Sequence, residues 1–145
     1  MSQCIMNGDP ECDFSPGIYR EQQLSYFCGN ALECRQVGNQ EALQSAKLNT
    51  EKKFALVGLT NDMERTIALL ERIVPTYFKG AVELFNSELS SKVRRANRKS
   101  LTKANVNSYK GVTQEAKMKL RRQMALELDF YDFAKMLFDR QFASK

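Results

Sequence analysis

Apolar positions fall into four helical patterns and one compact run. Between Gln40 and Lys52, Ala42, Leu43, Ala46 and Lys47 recur at helical spacing, so QEALQSAKLNTEK predicts a short helix. FALVGL (Phe54–Leu59) follows as a continuous apolar run without alternation, which suits a strand covered on both faces, as in a parallel sheet. Thr60 or Asn61 can cap the next helix, whose first turn carries Asp62 and Glu64 where the helix dipole favours negative charge. Ile67, Leu70, Ile73 and Val74 give it an apolar stripe, Pro75 ends it, and TYFKGAVELF predicts a further helix packed close by. Residues 86–112 are polar and basic without sustained periodicity, which predicts a loop with a helical turn around Lys92–Asn97. A long helix then starts at the N-cap Thr113 and runs to about Phe142. Ala116, Leu120, Met124, Leu128, Tyr131, Ala134 and Phe138 are its expected buried face. The aromatic residues Phe130, Tyr131, Phe133 and Phe138 read as core rather than as a stacking platform. Residues 1–26 read as irregular.

A lone strand cannot satisfy its own backbone groups, and this pattern holds one convincing strand. The expectation is therefore an incomplete α/β unit whose sheet partners come from elsewhere. It divides into a loop region at 1–39, helix–strand–helix at 40–85, a basic loop at 86–112 and a final helix at 113–142. No apolar run approaches the roughly 20 residues of a membrane span, and the N-terminus lacks the basic and apolar regions of a signal peptide.

Charge changes the picture. The chain carries 22 basic and 17 acidic residues. Between Lys92 and Arg122, however, eleven basic residues stand against the single acid Glu115, so the remainder is net acidic. A segregated positive segment points to a polyanionic partner: nucleic acid, acidic lipid, sulfated glycan or a nucleotide. A solvated helix face is the plain alternative.

All 4 cysteines, Cys4, Cys12, Cys28 and Cys34, precede residue 35. The absence of both a CxxC spacing and any histidine argues against a zinc site. Gly8, Pro10, Pro16, Gly17 and Gly29 make the surrounding segment loop-like. Sequential pairing, Cys4–Cys12 and Cys28–Cys34, closes two short loops. In the chain-entropy model each is worth roughly 2–3 kcal/mol. Such staples belong in an oxidising compartment; the alternative is four reduced cytosolic thiols.

Three stretches carry a family resemblance. YFCGNALEC (Tyr26–Cys34) is similar to a Phe-Phe-Cys-Gly-His segment followed closely by Cys. The segment from Ala46 to Phe85 resembles Ala-Lys-x-Asn, Val-Gly-Val/Leu-Thr, Leu-Leu-Glu and Leu-Pro-x-Phe-Phe-Arg/Lys-Gly-Ala, in that order and spacing. LDFYDFAKMLF (Leu128–Phe138) is similar to a Glu-Phe-Tyr-Glu-Phe-Ala opening. Together they resemble the uronyl and heparan sulfate 2-O-sulfotransferases, over the C-terminal half of the catalytic domain. The resemblance implies a P-loop-like α/β sulfotransferase fold, which would supply the missing strands. It further implies a type II Golgi membrane protein with a lumenal catalytic domain, whose anchor is not in this chain. The implied donor is 3′-phosphoadenosine-5′-phosphosulfate, and the implied acceptor is the 2-O position of a uronic acid in heparan, chondroitin or dermatan sulfate.

Sulfuryl transfer needs an aligned nucleophile and leaving group, cations for the spread charge, and a base for the acceptor hydroxyl. With no His, and no Lys in the GLTND that follows FALV, neither the usual base nor a phosphosulfate cradle is found here. No catalytic residue is expected, no metal is implied, and these residues alone are expected to be inactive. What the resemblance assigns is binding. Phe85, Asn86, Ser87, Glu88, Leu89, Ser90 and Ser91 correspond to a loop that wraps the nucleotide, and Lys99 to a nucleotide-contacting Lys. Arg94 corresponds to an Arg that contacts the glycan, with Arg95 as its neighbour; a planar guanidinium can clasp a uronate or sulfate in bidentate fashion. Where the family tends to Thr-Gly-Lys-Lys, this loop reads Ser87-Glu88-Leu89-Ser90, exchanging a Gly and two cations for an acid and uncharged residues. The expected partners are a sulfated glycosaminoglycan and a nucleotide sulfate donor, not nucleic acid, and the full-length protein is compatible with a homo-oligomer. The competing expectation is a non-enzymatic module that binds heparin-like polyanions.

Overall fold

The computed structural model describes residues 2–13, 23–36, 38–87 and 112–144. Among them the chain is helical, and no residue is in a strand. The helices are α1 (Ser2–Asn7), α2 (Gln23–Cys28), α3 (Gln40–Lys53), α4 (Met63–Ile73), α5 (Pro75–Phe78), α6 (Ala81–Asn86), α7 (Gln114–Gln123) and α8 (Ala125–Ala143). Single 3₁₀ turns lie at Pro10–Cys12 and Leu32–Arg35. By backbone proximity the chain divides into two compact units, one of Met1–Phe54 with Ser108–Ala134, the other of Ala55–Asn107 with Lys135–Lys145.

The core of the first unit joins Leu24, Cys28, Cys34, Ala42, Leu43, Ala46 and Phe130, with Phe27 and Leu126 packed against it. Helices as short as α1 and α2 have too few internal hydrogen bonds to persist alone. Here the disulfides Cys4–Cys12 and Cys28–Cys34 hold them, with Cα–Cα separations of 5.8 and 5.5 Å. The N-terminal segment expected to be irregular is therefore helical at Ser2–Asn7 and Gln23–Cys28. Helix α7 is tied to α1 through the Lys119 ammonium, which donates to the Met6 carbonyl at 3.1 Å. Thr113 is its N-cap, accepting from the Ala116 N–H at 3.3 Å.

The second unit packs Leu59, Leu69 and Phe138 together, with Leu56 and Phe142 beside them. Its ionic element is Arg65, paired with Asp62 at 3.0 Å and Asp139 at 2.8 Å, its guanidinium over the rings of Phe138 and Phe142. Arg65 is held above its ordinary pKa, chiefly by the hydrogen bond to Asp139.

Further expectations are corrected. The strand at Phe54–Leu59 does not form among the described residues, and of this run only Leu59 is buried. Its backbone finds side-chain partners in place of a ladder. The Leu59 N–H donates to the Thr66 hydroxyl at 2.9 Å, that hydroxyl donates to the Leu59 carbonyl at 3.2 Å, and the Gln141 amide donates to the Ala55 carbonyl at 3.3 Å. The helix expected to run unbroken from Thr113 stops at Met124 and restarts as α8. Leu128 and Tyr131, assigned to its buried face, are exposed, whereas Phe130, Ala134, Leu137 and Phe138 are buried. A helix advances about 100° per residue, so repeated steps of four drift about 40° each, and three of them carry Leu128 about 120° from Ala116. The cap of α4 is Asp62 rather than Thr60 or Asn61, and its carboxylate bonds to Arg65 rather than to the helix backbone.

Candidate nucleotide and glycan site

The segment leading to the expected nucleotide loop is built from α4, α5 and α6. Pro75 opens α5, its fixed φ fitting a first helical position. Gly80 then reverses the chain at φ +82°, a left-handed conformation that glycine adopts without the Cβ penalty. As N-cap of α6, Gly80 has no side chain to accept the helix's unpaired N–H groups. Glu71, on α4, supplies that acceptor. One carboxylate oxygen receives the Gly80 N–H at 2.8 Å and the other the Val82 N–H at 3.0 Å. These bonds, the one from Val82 first, hold the Glu71 carboxyl below its ordinary pKa against a smaller opposing effect of burial.

Of the expected nucleotide-binding residues, three are described. Phe85 and Asn86 form the last turn of α6, Phe85 half-buried and Asn86 exposed. Ser87 closes the helix, its N–H donating to the Leu84 carbonyl at 3.2 Å and its hydroxyl donating to the same oxygen at 2.8 Å. The structure thus gathers Phe85, Asn86 and Ser87 at one helix end. Glu88, Leu89, Ser90, Ser91, Arg94, Arg95 and Lys99 lie outside the described residues. On the surface of the same unit, Tyr77 and Leu84 are strongly exposed, at 82% and 68%.

The motif residues elsewhere have structural work. Ala46 is fully buried, Lys47 pairs with Asp129 at 2.7 Å, and the Asn49 amide donates to the carbonyls of Phe27 and Cys28 at 3.1 and 2.7 Å. Asn49 therefore satisfies carbonyls at the end of α2 that have no partner within the helix. Phe27 stacks in tilted fashion on Phe54 and Phe130, with centroids 5.2 and 5.0 Å away. A Cβ on Gly58 would collide with Thr66, so glycine there permits the Leu59–Thr66 contact. The roles of Glu71, Asn49 and Thr66 were not read from the sequence. The signal for Glu71 was a carboxylate on one helix followed by a glycine with no cap residue at the start of the next. Among the described residues, no group of three or more His, Cys, Asp or Glu could hold a metal ion, and no helix is long and apolar enough to cross a membrane.

The comparisons agree on one kind of protein. The chain is 36% identical over 140 residues to heparan sulfate 2-O-sulfotransferase hst-2 of Caenorhabditis elegans, covering 97% of this chain and 40% of that protein. This chain belongs to the heparan sulfate and uronyl 2-O-sulfotransferase family. It is also 34% identical over 138 residues to the uronyl 2-sulfotransferase of Homo sapiens, covering 95% of this chain and 31% of that one. Against the uronyl 2-sulfotransferase homolog pip of Drosophila melanogaster it is 30% identical over 152 aligned positions, covering 99% of this chain and 28% of the relative. The chain therefore spans well under half the length of these relatives. No family model matches it.

Proposed function

We propose that this chain is the C-terminal part of a glycosaminoglycan 2-O-sulfotransferase domain and supplies its nucleotide and glycan contacts. The observation that carries the reading is a match to 2-O-sulfotransferases along 97% of the chain, joined to its segregated basic segment. On this reading the donor is 3′-phosphoadenosine-5′-phosphosulfate, held by the segment from Phe85 to Ser91 with Lys99. The acceptor is a uronic acid 2-hydroxyl in a sulfated glycan, held by Arg94 with Arg95. The Ser87 hydroxyl donates to the Leu84 carbonyl, so on this reading the backbone N–H groups of the loop are the main donors to the nucleotide's phosphates.

The general base and phosphosulfate cradle would come from other parts of the domain, since the chain holds no His. The same parts would supply the strands of a P-loop-like α/β fold, since Phe54–Leu59 forms none among the described residues. The paired cysteines fit a lumenal, oxidising location such as the Golgi.

The test is sulfotransfer from the nucleotide donor to desulfated heparin-like chains by the intact protein, alongside heparin-column retention. Arg94→Ala with Arg95→Ala is expected to lower the eluting salt and raise the acceptor KM. Unchanged retention removes the glycan role of these arginines. Retention without any sulfotransfer by the intact protein favours the non-enzymatic polyanion-binding module instead.

A further inference from the structure

We propose that Glu71 is a positioning residue for the nucleotide loop: it fixes the start of α6 and, through that helix, the place where the loop begins. The inference rests on the reading of Phe85–Ser91 as a nucleotide-binding segment and adds a residue that the reading did not contain.

Helix α6 has six residues, too few to persist through its own hydrogen bonds. Its N-terminal cap, Gly80, has no side chain, so the helix borrows its acceptor from α4. The two oxygens of Glu71 take separate N–H groups on either side of Ala81, at 2.8 Å from Gly80 and 3.0 Å from Val82. Two bonds from one rigid carboxylate fix direction as well as distance, and a negative charge at this end suits the helix dipole. At the other end Ser87 closes back on the Leu84 carbonyl with both its N–H and its hydroxyl. The path from α4 to the loop is therefore short: Glu71, Gly80, one and a half turns of helix, Ser87.

A helix of this length spans about 9 Å, so a tilt of about 10° at its start moves its far end by about 1.5 Å. Displacements of about 1 Å can cost a positioned group about 100-fold in rate. Loss of the Glu71 bonds is thus expected to appear first in donor binding, through the loop residues that directly follow α6.

The experiment compares Glu71→Ala, Glu71→Gln and Glu71→Asp in the intact protein. Adenosine 3′,5′-bisphosphate binding is measured by calorimetry, and sulfotransfer rates give donor and acceptor KM separately from kcat. Glu71→Ala is expected to weaken bisphosphate binding and raise donor KM about tenfold, with acceptor KM and heparin retention changed less than about twofold. Glu71→Gln keeps one acceptor oxygen and is expected to fall between the two. Should the Ala variant fail to fold, the Gln variant decides: wild-type nucleotide affinity in it overturns the inference. Equal weakening of nucleotide and glycan binding also overturns it, because that is the mark of a general structural role. Lys99→Ala separates the two layers. If it weakens bisphosphate binding and the Glu71 variants do not, only the Glu71 role fails. If neither does, the nucleotide reading of the loop fails and takes Glu71 with it.

Discussion

Replacing Gly58 by alanine tests the contact that takes the place of strand pairing in the second unit. The added Cβ would collide with Thr66 Cγ2 and lie 3.2 and 3.3 Å from Thr66 Oγ1 and Cβ. Thr66 is buried, and its hydroxyl both accepts the Leu59 N–H and donates to the Leu59 carbonyl. It cannot turn aside without breaking both bonds. Two relaxations are open. Overpacking a tight contact costs about 1–3 kcal/mol, and stranding a buried N–H costs about 1–3 kcal/mol. The cheaper route sets the outcome, so Gly58→Ala is expected to destabilise by about 1–3 kcal/mol. Thr66→Ser removes the colliding methyl and keeps the hydroxyl, costing about 1 kcal/mol alone. The double variant should then be more stable than the sum of the two singles by about 1 kcal/mol, short of full recovery because Oγ1 and Cβ remain close. Thr66→Val keeps a methyl and loses the hydroxyl, so it should not rescue. Equilibrium denaturant unfolding at unchanged m reads these differences. A Gly58→Ala variant within about 0.5 kcal/mol of wild type, or strict additivity in the double variant, would refute the reasoning.

Two further predictions follow from the first unit. The disulfides close loops of similar length, with sequence separations of 8 and 6, so each contributes about 2–2.5 kcal/mol through chain entropy. Cys28 and Cys34 are also core residues at 5% and 2% exposure, so replacing that pair by Ala should lower the melting temperature more than replacing Cys4 and Cys12; the reverse order would contradict the packing. Glu127 accepts the Leu24 N–H at 3.2 Å from a half-buried position, and burial pushes its carboxyl above the ordinary value, opposed by bonds from Leu24 and Gln23. A raised folded-state value means that the stabilising contribution is complete below the ordinary carboxylate range and declines as pH rises through it to the folded value. Glu71, with a lowered value, has the opposite sign: its contribution is present above the ordinary range and is lost as pH falls through the folded value. The unfolding free energy of wild type minus that of Glu127→Gln should therefore fall with rising pH across this window; parallel curves would refute the assignment.

Periodicity placed some elements but not every buried face: in α4 Thr66 and Leu69 are buried, whereas Ile73 of the expected stripe is exposed. Helix α3, with Ala42, Leu43 and Ala46 buried, spans Gln40–Lys53 where its pattern placed it, and Thr113 caps α7 as its hydroxyl predicted. The motif order carried the family, and in this chain motif residues such as Asn49 and Gly58 answer to local backbone geometry. The face of the final helices was misread because Gln123 and Glu127 occupy inward positions. Both are polar, and each bonds a partner distant in sequence: the Gln123 amide donates to Asp13 at 2.8 Å, and Glu127 accepts from the Leu24 N–H. No window of neighbouring residues contains that information. The same holds for Phe54–Leu59. An apolar run states that a segment seeks burial, but only the tertiary structure decides whether its backbone groups meet a neighbouring strand or, as with Leu59 and Thr66, a side chain. Glu71 is the clearest case: a carboxylate on a helix reads as solvent-facing until folding brings the N–H groups of Gly80 and Val82 within reach. Local spacing encodes which faces are apolar; which polar groups find each other depends on chain reversal in three dimensions.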